Sequence, residues 1–232
     1  MAITPVGSLR DSYATSQATL SVTPVNVGDA WLLSVFIVNT SISTTAVSGG
    51  GATGWTKVAP TTAASNGVGN FELWLGTIGT AGASTITLTY SASITGTDVE
   101  LDAQEFSSGL GAGTVWAKDG SQAGFNNNAS STTIAYPTLV PAGSGELYFG
   151  FMISYAGGTS AGPTSGYSYF TTSNGDQVAY NGNISASTSP TSSTPSAGIS
   201  FGDGVLITAS VAATASPPYP GLLVSRLRPY FG

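Results

Sequence analysis

No segment of this chain repeats apolar residues with the 3.6-residue period of an amphipathic helix. Apolar residues come instead in short runs, many of them alternating, and glycine, proline, asparagine and serine interrupt them throughout. A chain punctuated in this way can bury its apolar side chains only by pairing many short strands. Thr19–Thr23 reads as a first strand, with a turn at Asn26–Asp29. Ala30–Asn39 (AWLLSVFIVN) is nearly continuous apolar, the pattern of a strand covered on both faces. A Gly-rich loop, Ser48–Gly54, leads into Trp55–Val58. Asn70–Ile78 sets Phe71, Leu73 and Leu75 against Glu72 and Trp74, and Thr85–Tyr90 (TITLTY) alternates with Ile86 and Leu88 inward.

The second half continues in the same style. Asp98–Phe106 alternates Val99, Leu101 and Ala103 against Asp98, Glu100 and Asp102. Val115–Lys118 and Thr132–Tyr136 flank a polar stretch, Asp119–Ser131, that reads as a loop. Glu146–Tyr155 (ELYFGFMISY) is a second doubly covered strand, and VGDAWLLSVFI and GSGELYFGFMI align loosely as equivalents in two sheets. Tyr167–Thr171, Gln177–Asn181, Gly198–Phe201 and Val205–Ala212 complete the strands, with Ser185–Ser196 as a Ser/Thr/Pro-rich loop. The expected fold is all-β: an antiparallel two-sheet β-sandwich, jelly-roll-like, forming a single large domain over 1–216. Pro217, Pro218 and Pro220 then open a C-terminal tail over 217–232, which would dock as a last strand or contact a neighbouring subunit.

Composition removes whole classes of chemistry. With no histidine and no cysteine, neither a His/Cys zinc site nor a Cys nucleophile nor a His-based triad is available. Gly158-Thr159-Ser160-Ala161-Gly162 has the letters of GxSxG but no histidine in the chain to complete a Ser-His triad, and the glycines of SGGGATG lack the Gly-Lys-Ser/Thr ending of a phosphate loop. No catalytic residue, metal ligand or cofactor is therefore assigned, and the chain is expected not to be an enzyme. Five cations cannot line a groove for a nucleic-acid backbone. Ala30–Val38 is too short for the roughly 18–20 residues of a membrane span, so no membrane insertion is expected. The opening MAITPVGSLRDSY lacks a basic segment followed by an apolar one, so the expectation is synthesis in the cytoplasm without a secretory signal.

The order of signals carries more than the individual strands do. VGDAWLLSVFI, then GW after a Gly-rich loop, then LWLGTIGTAGASTITLTYS, LDAQEFSSGLG and SGELYFGFMIS span about Val25 to Ala213. This order resembles the jelly-roll-like modules of actinobacteriophage minor tail proteins and related virion surface proteins, and the ending RLRPYFG is similar to their C-termini. The resemblance implies a virion location and a minor tail or decoration protein that acts by assembly and surface contact. Its implied partners are other virion proteins and copies of itself. The alternative is a lectin-like carbohydrate-binding module that contacts a host surface glycan.

Asp98, Glu100 and Asp102 form the densest acidic set. Alternate residues on a strand lie about 6.5–7 Å apart, too far to ligate one ion together, and a solvated sheet face is the expectation. Glu105 falls on the core side of the same alternation, so it needs a bulge or hydrogen bonds from a neighbouring loop. Trp31 is expected in the core. Trp74, opposite the apolar face of its strand, and Trp116, beside Lys118 and Asp119, are candidate contacts for a partner or a sugar ring. Arg226, Arg228, Tyr230 and Phe231 are the candidates in the tail.

Overall fold

A computed structural model describes residues 2–63 and 67–212. Among these, fourteen strands and one 3-10 turn (Gly111–Gly113) are formed. The strands are β1 (Thr4–Thr15), β2 (Thr19–Val22), β3 (Ala30–Ile37), β4 (Thr44–Gly49), β5 (Ala52–Ala63), β6 (Asn70–Ile78) and β7 (Ser84–Tyr90). They continue with β8 (Asp98–Ser107), β9 (Thr114–Ala135), β10 (Glu146–Ser154), β11 (Ser160–Ala161), β12 (Ser168–Thr171), β13 (Gln177–Ile184) and β14 (Thr191–Val211). The chain is an all-β, antiparallel sandwich, as its strand patterning predicts.

A central sheet runs β1-β8-β3-β6-β5, and a broad sheet runs β11-β14-β10-β13-β12 with β9 also on β14. A third, small sheet, β2-β7-β4, was not foreseen as a separate layer. It covers the face of the central sheet that the broad sheet does not. β3 explains the arrangement residue by residue. Ala30, Leu32 and Phe36 join the core shared with the broad sheet, whereas Trp31, Leu33, Val35 and Ile37 join the core shared with the small sheet. Every residue of β3 is buried, which is why its sequence is nearly continuous apolar. β10 is doubly covered too. Phe149 and Phe151 face the central sheet, while Tyr148 and Met152 pack under Tyr136 and Leu139. The two strands that align in sequence thus hold equivalent middle positions, β3 between β8 and β6, β10 between β14 and β13.

Aromatic side chains bolt the central and broad sheets together. Phe71 on β6 lies 4.8 Å from Phe36 and 5.2 Å from Phe125 between ring centroids, with Phe151 and Phe201 around it. Each such fully buried ring contributes about 1.5–3 kcal/mol by leaving water. Where the chain enters β3, Gly28 takes φ +91°, and a Cβ there would stand 2.3 Å from the Gly111 carbonyl oxygen. Only glycine admits that approach. It lets the 3-10 turn close on the β3 entry while the Trp116 Nε1–H donates to Gly28 O at 2.8 Å.

Several expectations are corrected. β1 precedes the expected first strand and pairs with β8 from Thr4↔Ser107 to Thr15↔Asp98, with a bulge between Val6 and Arg10. The polar stretch Asp119–Ser131 is not a loop but the middle of β9, paired with β14. The Ser/Thr/Pro-rich loop ends early, because β14 begins at Thr191. These segments are polar because they pair along sheet edges and bends, where backbone hydrogen bonding rather than side-chain burial holds them. Glu100 and Asp102 are not on a solvated face: they are 1% and 0% exposed. The period-two pattern of β8 is as read, but its polar face packs against the broad sheet.

Candidate functional site

The acidic residues show how this chain uses charge. Of the eleven, eight are buried (Asp29, Glu72, Glu100, Asp102, Glu105, Glu146, Asp176 and Asp203) and the other three, Asp11, Asp98 and Asp119, are half-buried. Most accept hydrogen bonds from backbone N–H groups of neighbouring segments. Glu105 takes those of Val25 and Asn26 at 2.9 and 3.0 Å, the loop anchor its position required. Glu72 takes Thr44 N, Glu146 takes Gly143 N, Asp203 takes Phe151 N, and Asp119 takes Ala142 N. Charge-assisted bonds of this kind are stronger than neutral ones, and here they pin loops and strands. Among the described residues Arg10 is the one charged side chain that is exposed.

A second group of acids meets at one end of the interface between the central and broad sheets. β12 and β13 form a hairpin whose turn, Thr172–Asp176, carries Asn174-Gly175 with Gly175 at φ +88°, the dipeptide that tight hairpins favour. The turn is tied to the central sheet on two strands. Ser173 N donates to Asp11 Oδ2 of β1 at 2.8 Å, and Asn174 Nδ2 donates to Glu100 Oε2 of β8 at 3.1 Å. The same Nδ2 donates to Asp176 Oδ2 at 2.9 Å, while Asp176 Oδ1 accepts from Ser154 N at the end of β10.

Two carboxyls gathered by one amide do not both ionise readily. Burial, then the charges of Asp102 and Asp176, push the Glu100 carboxyl up to about 10, which favours its protonated form. Burial also raises Asp102 well above the usual carboxylate range, although Ser34 Oγ donates to it at 3.1 Å. Asp203 is pushed up to about 8 by burial.

In front of this pair a cleft of about 450 Å³ opens to solvent, within the size range of small-molecule sites. Phe36, Val38 and Ile153 supply apolar lining, Asp98, Asn174 and Asp176 supply polar atoms, and Tyr13 and Tyr155 stand at the surface. Tyr13 Oη donates to Asp98 Oδ2 at 3.2 Å, and Thr15 Oγ1 donates to Asp98 Oδ1 at 2.5 Å. Burial and the nearby Asp176 push the Tyr155 hydroxyl up to about 12, so it stays protonated. Two shallower grooves flank Arg10, one beside Ser21 and Thr85 and the other beside Asp11 and Gln17, and neither is lined by an aromatic residue.

The residues singled out in the sequence do not form this cleft. Trp74 is 6% exposed in the core beneath the small sheet, where its Nε1–H donates to Glu72. Trp116 is 7% exposed in the core between the central and broad sheets. Both indoles are enclosed by neighbouring layers, which corrects their reading as surface contacts. Arg226, Arg228, Tyr230 and Phe231, with the rest of the tail over 217–232, lie outside the described residues. Tyr13, Tyr155 and Asp176 went unnoticed because they sit in segments far apart in sequence and carry no motif. Among the described residues no group of three or more acidic side chains is placed to hold a metal ion, and no helix is long and apolar enough to cross a membrane.

No protein-family model matches the chain, and neither a curated protein nor a solved structure matches it significantly.

Proposed function

We propose that this chain is a non-catalytic component of a bacteriophage virion, a minor tail or decoration protein that acts by assembly and surface contact. The observation that carries the reading is the placement of charge. With its acids turned inward to hold loops, the protein presents Ser, Thr, Asn and Gly together with exposed Val25, Val27, Val115, Val140, Ile199 and Val211. The centres of protein–protein interfaces are depleted of charge in the same way, and a surface of low charge favours association. The order of strand motifs, similar to that of phage tail modules, supports the particle as the place of that association.

The buried acid pair fits the same reading. Burial favours the protonated form of Glu100, but at 1% exposure it is walled off from the cleft by Asn174 and Asp176. A general acid must reach its substrate within hydrogen-bond distance. This pair anchors a turn. Immunogold labelling of purified particles with antibody against the chain tests the proposal: gold at a fixed place on the tail or capsid is expected. Particles that carry none of the chain, by labelling and by mass spectrometry, overturn it.

A further inference from the structure

We propose that the cleft between Tyr13 and Tyr155 binds one ring of an uncharged sugar. The inference deepens the reading of the chain as a contact protein by giving that contact a ligand class. Among the described residues, only two aromatic side chains are exposed, Tyr13 at 39% and Tyr155 at 52%, and both line this one cleft. Every other described ring is buried or half-buried in the three cores or at their rims. A fold that encloses its tryptophans and phenylalanines leaves two rings in water at the same opening.

The polar atoms there specify what could sit between the rings. The oxygens of Asp98 already accept from Tyr13 and Thr15 and those of Asp176 from Ser154 N and Asn174, each with a further lone pair, whereas Asn174 has spent both amide hydrogens on Glu100 and Asp176. No lysine or arginine lines the cleft. With two acidic residues and no cation, the site repels phosphate, sulfate and acidic sugars; the spare lone pairs of its carboxyl oxygens and the Tyr155 hydroxyl suit a ligand with several O–H groups. Apolar lining from Phe36 and Ile153 requires that the same ligand carry C–H faces. A neutral pyranose has both, hydroxyl donors around its edge and C–H groups on its faces to lie against tyrosine. The site is also rigid: the Asp11 and Glu100 bonds fix the Thr172–Asp176 turn, so Asp176 is positioned before a ligand arrives.

The test is a glycan array carrying neutral, amine-bearing and acidic bacterial oligosaccharides, followed by calorimetric titration of the strongest neutral glycan. Binding to a neutral glycan is expected, weakened at least about tenfold in Tyr155→Ala. The thermal midpoint of that variant should fall by no more than about 2 °C, since about half of the residue is in solvent. Tyr155→Phe, which keeps the ring, should stay within about threefold of the original affinity. The proposal is overturned by an array on which no neutral glycan binds, by binding confined to amine-bearing or acidic glycans, or by full affinity in Tyr155→Ala. Glycan binding without particle labelling would remove the virion reading and leave this site; labelling without glycan binding would do the reverse.

Discussion

Replacing Lys57 with methionine would leave Glu72 as an enclosed charge without its counter-ion. The Glu72 side chain is 0% exposed and lies 3.1 Å from Lys57 Nζ, whose own side chain is 26% exposed. Thr44 N, Thr61 Oγ1 and Trp74 Nε1 donate to the same carboxylate at 2.8, 2.8 and 3.0 Å. The ammonium also sits 5.0 Å from the centroid of the Trp74 ring. Breaking a buried pair from one side costs about 3–5 kcal/mol, because the remaining charge stays desolvated. Partial exposure of Lys57 and the three remaining donors place this site at the low end, about 3 kcal/mol. For a domain of this size that lowers the melting temperature by roughly 6–12 °C. The double variant Lys57→Met with Glu72→Gln removes the orphaned charge and should recover about half of the loss. Scanning calorimetry of the two single variants, the double variant and the parent closes the cycle. A fall of less than about 2 °C in Lys57→Met, or strictly additive losses in the double variant, would refute the account.

Three further outcomes follow from the same interior. Burial pushes the Asp203 carboxyl up to about 8 from its ordinary 3.8, and Glu100 further still, so the folded state favours protons that unfolding releases. For these groups stability is then full below about pH 4 and declines as pH rises from there toward 8. Guanidinium unfolding at pH 5 to 8 should show this decline and a shallower one in Asp203→Asn; stability rising with pH would contradict it. Glu105→Ala frees the Val25 and Asn26 N–H groups and should cost about 1.5–3 kcal/mol, with faster amide exchange at those two residues. Unchanged exchange there would mean that the carboxylate does not hold the loop. In Gly182→Ala the new Cβ would fall on the Ile3 carbonyl oxygen, and the Ile3 N–H donates to Gly182 O at 2.8 Å. That variant should release the start of β1 to proteolysis, at a cost of about 1–3 kcal/mol; a protease-resistant N-terminus would count against the contact.

What could be read from the chain and what could not separate along physical lines. β3 and β10 were legible because a strand covered on both faces must be apolar at nearly every position. β6 and β7 were legible in outline from alternation. Alternation did not reveal what lies opposite a face. β8 presents Glu100 and Asp102 at the positions a solvated face would use, yet the broad sheet closes over them and burial raises both carboxyls above their ordinary range. Trp74 failed for the same reason, since the third layer that covers it is built from β2, β4 and β7. β1 and the long β9 were hidden by Ser, Thr, Asn and Gly, which read as loop but pair along sheet edges. The cleft was illegible because β1, β8, the end of β10 and the turn before β13 each contribute part of it, and only the packing of two sheets brings them together.

The inward placement of acid has a consequence for the medium in which such a surface works. The formal charge of −6 overstates what surrounding ions experience, because burial raises Glu100 and Asp203 toward their neutral forms and most of the other carboxyls are enclosed. Added salt weakens contacts by screening exposed charges, and the described surface has few to screen: exposed Arg10 and the half-buried Asp11, Asp98, Asp119, Lys57 and Lys118. Contacts made by this surface should therefore lose little strength to screening as salt rises, a tolerance built into the fold by using carboxylates as interior fasteners.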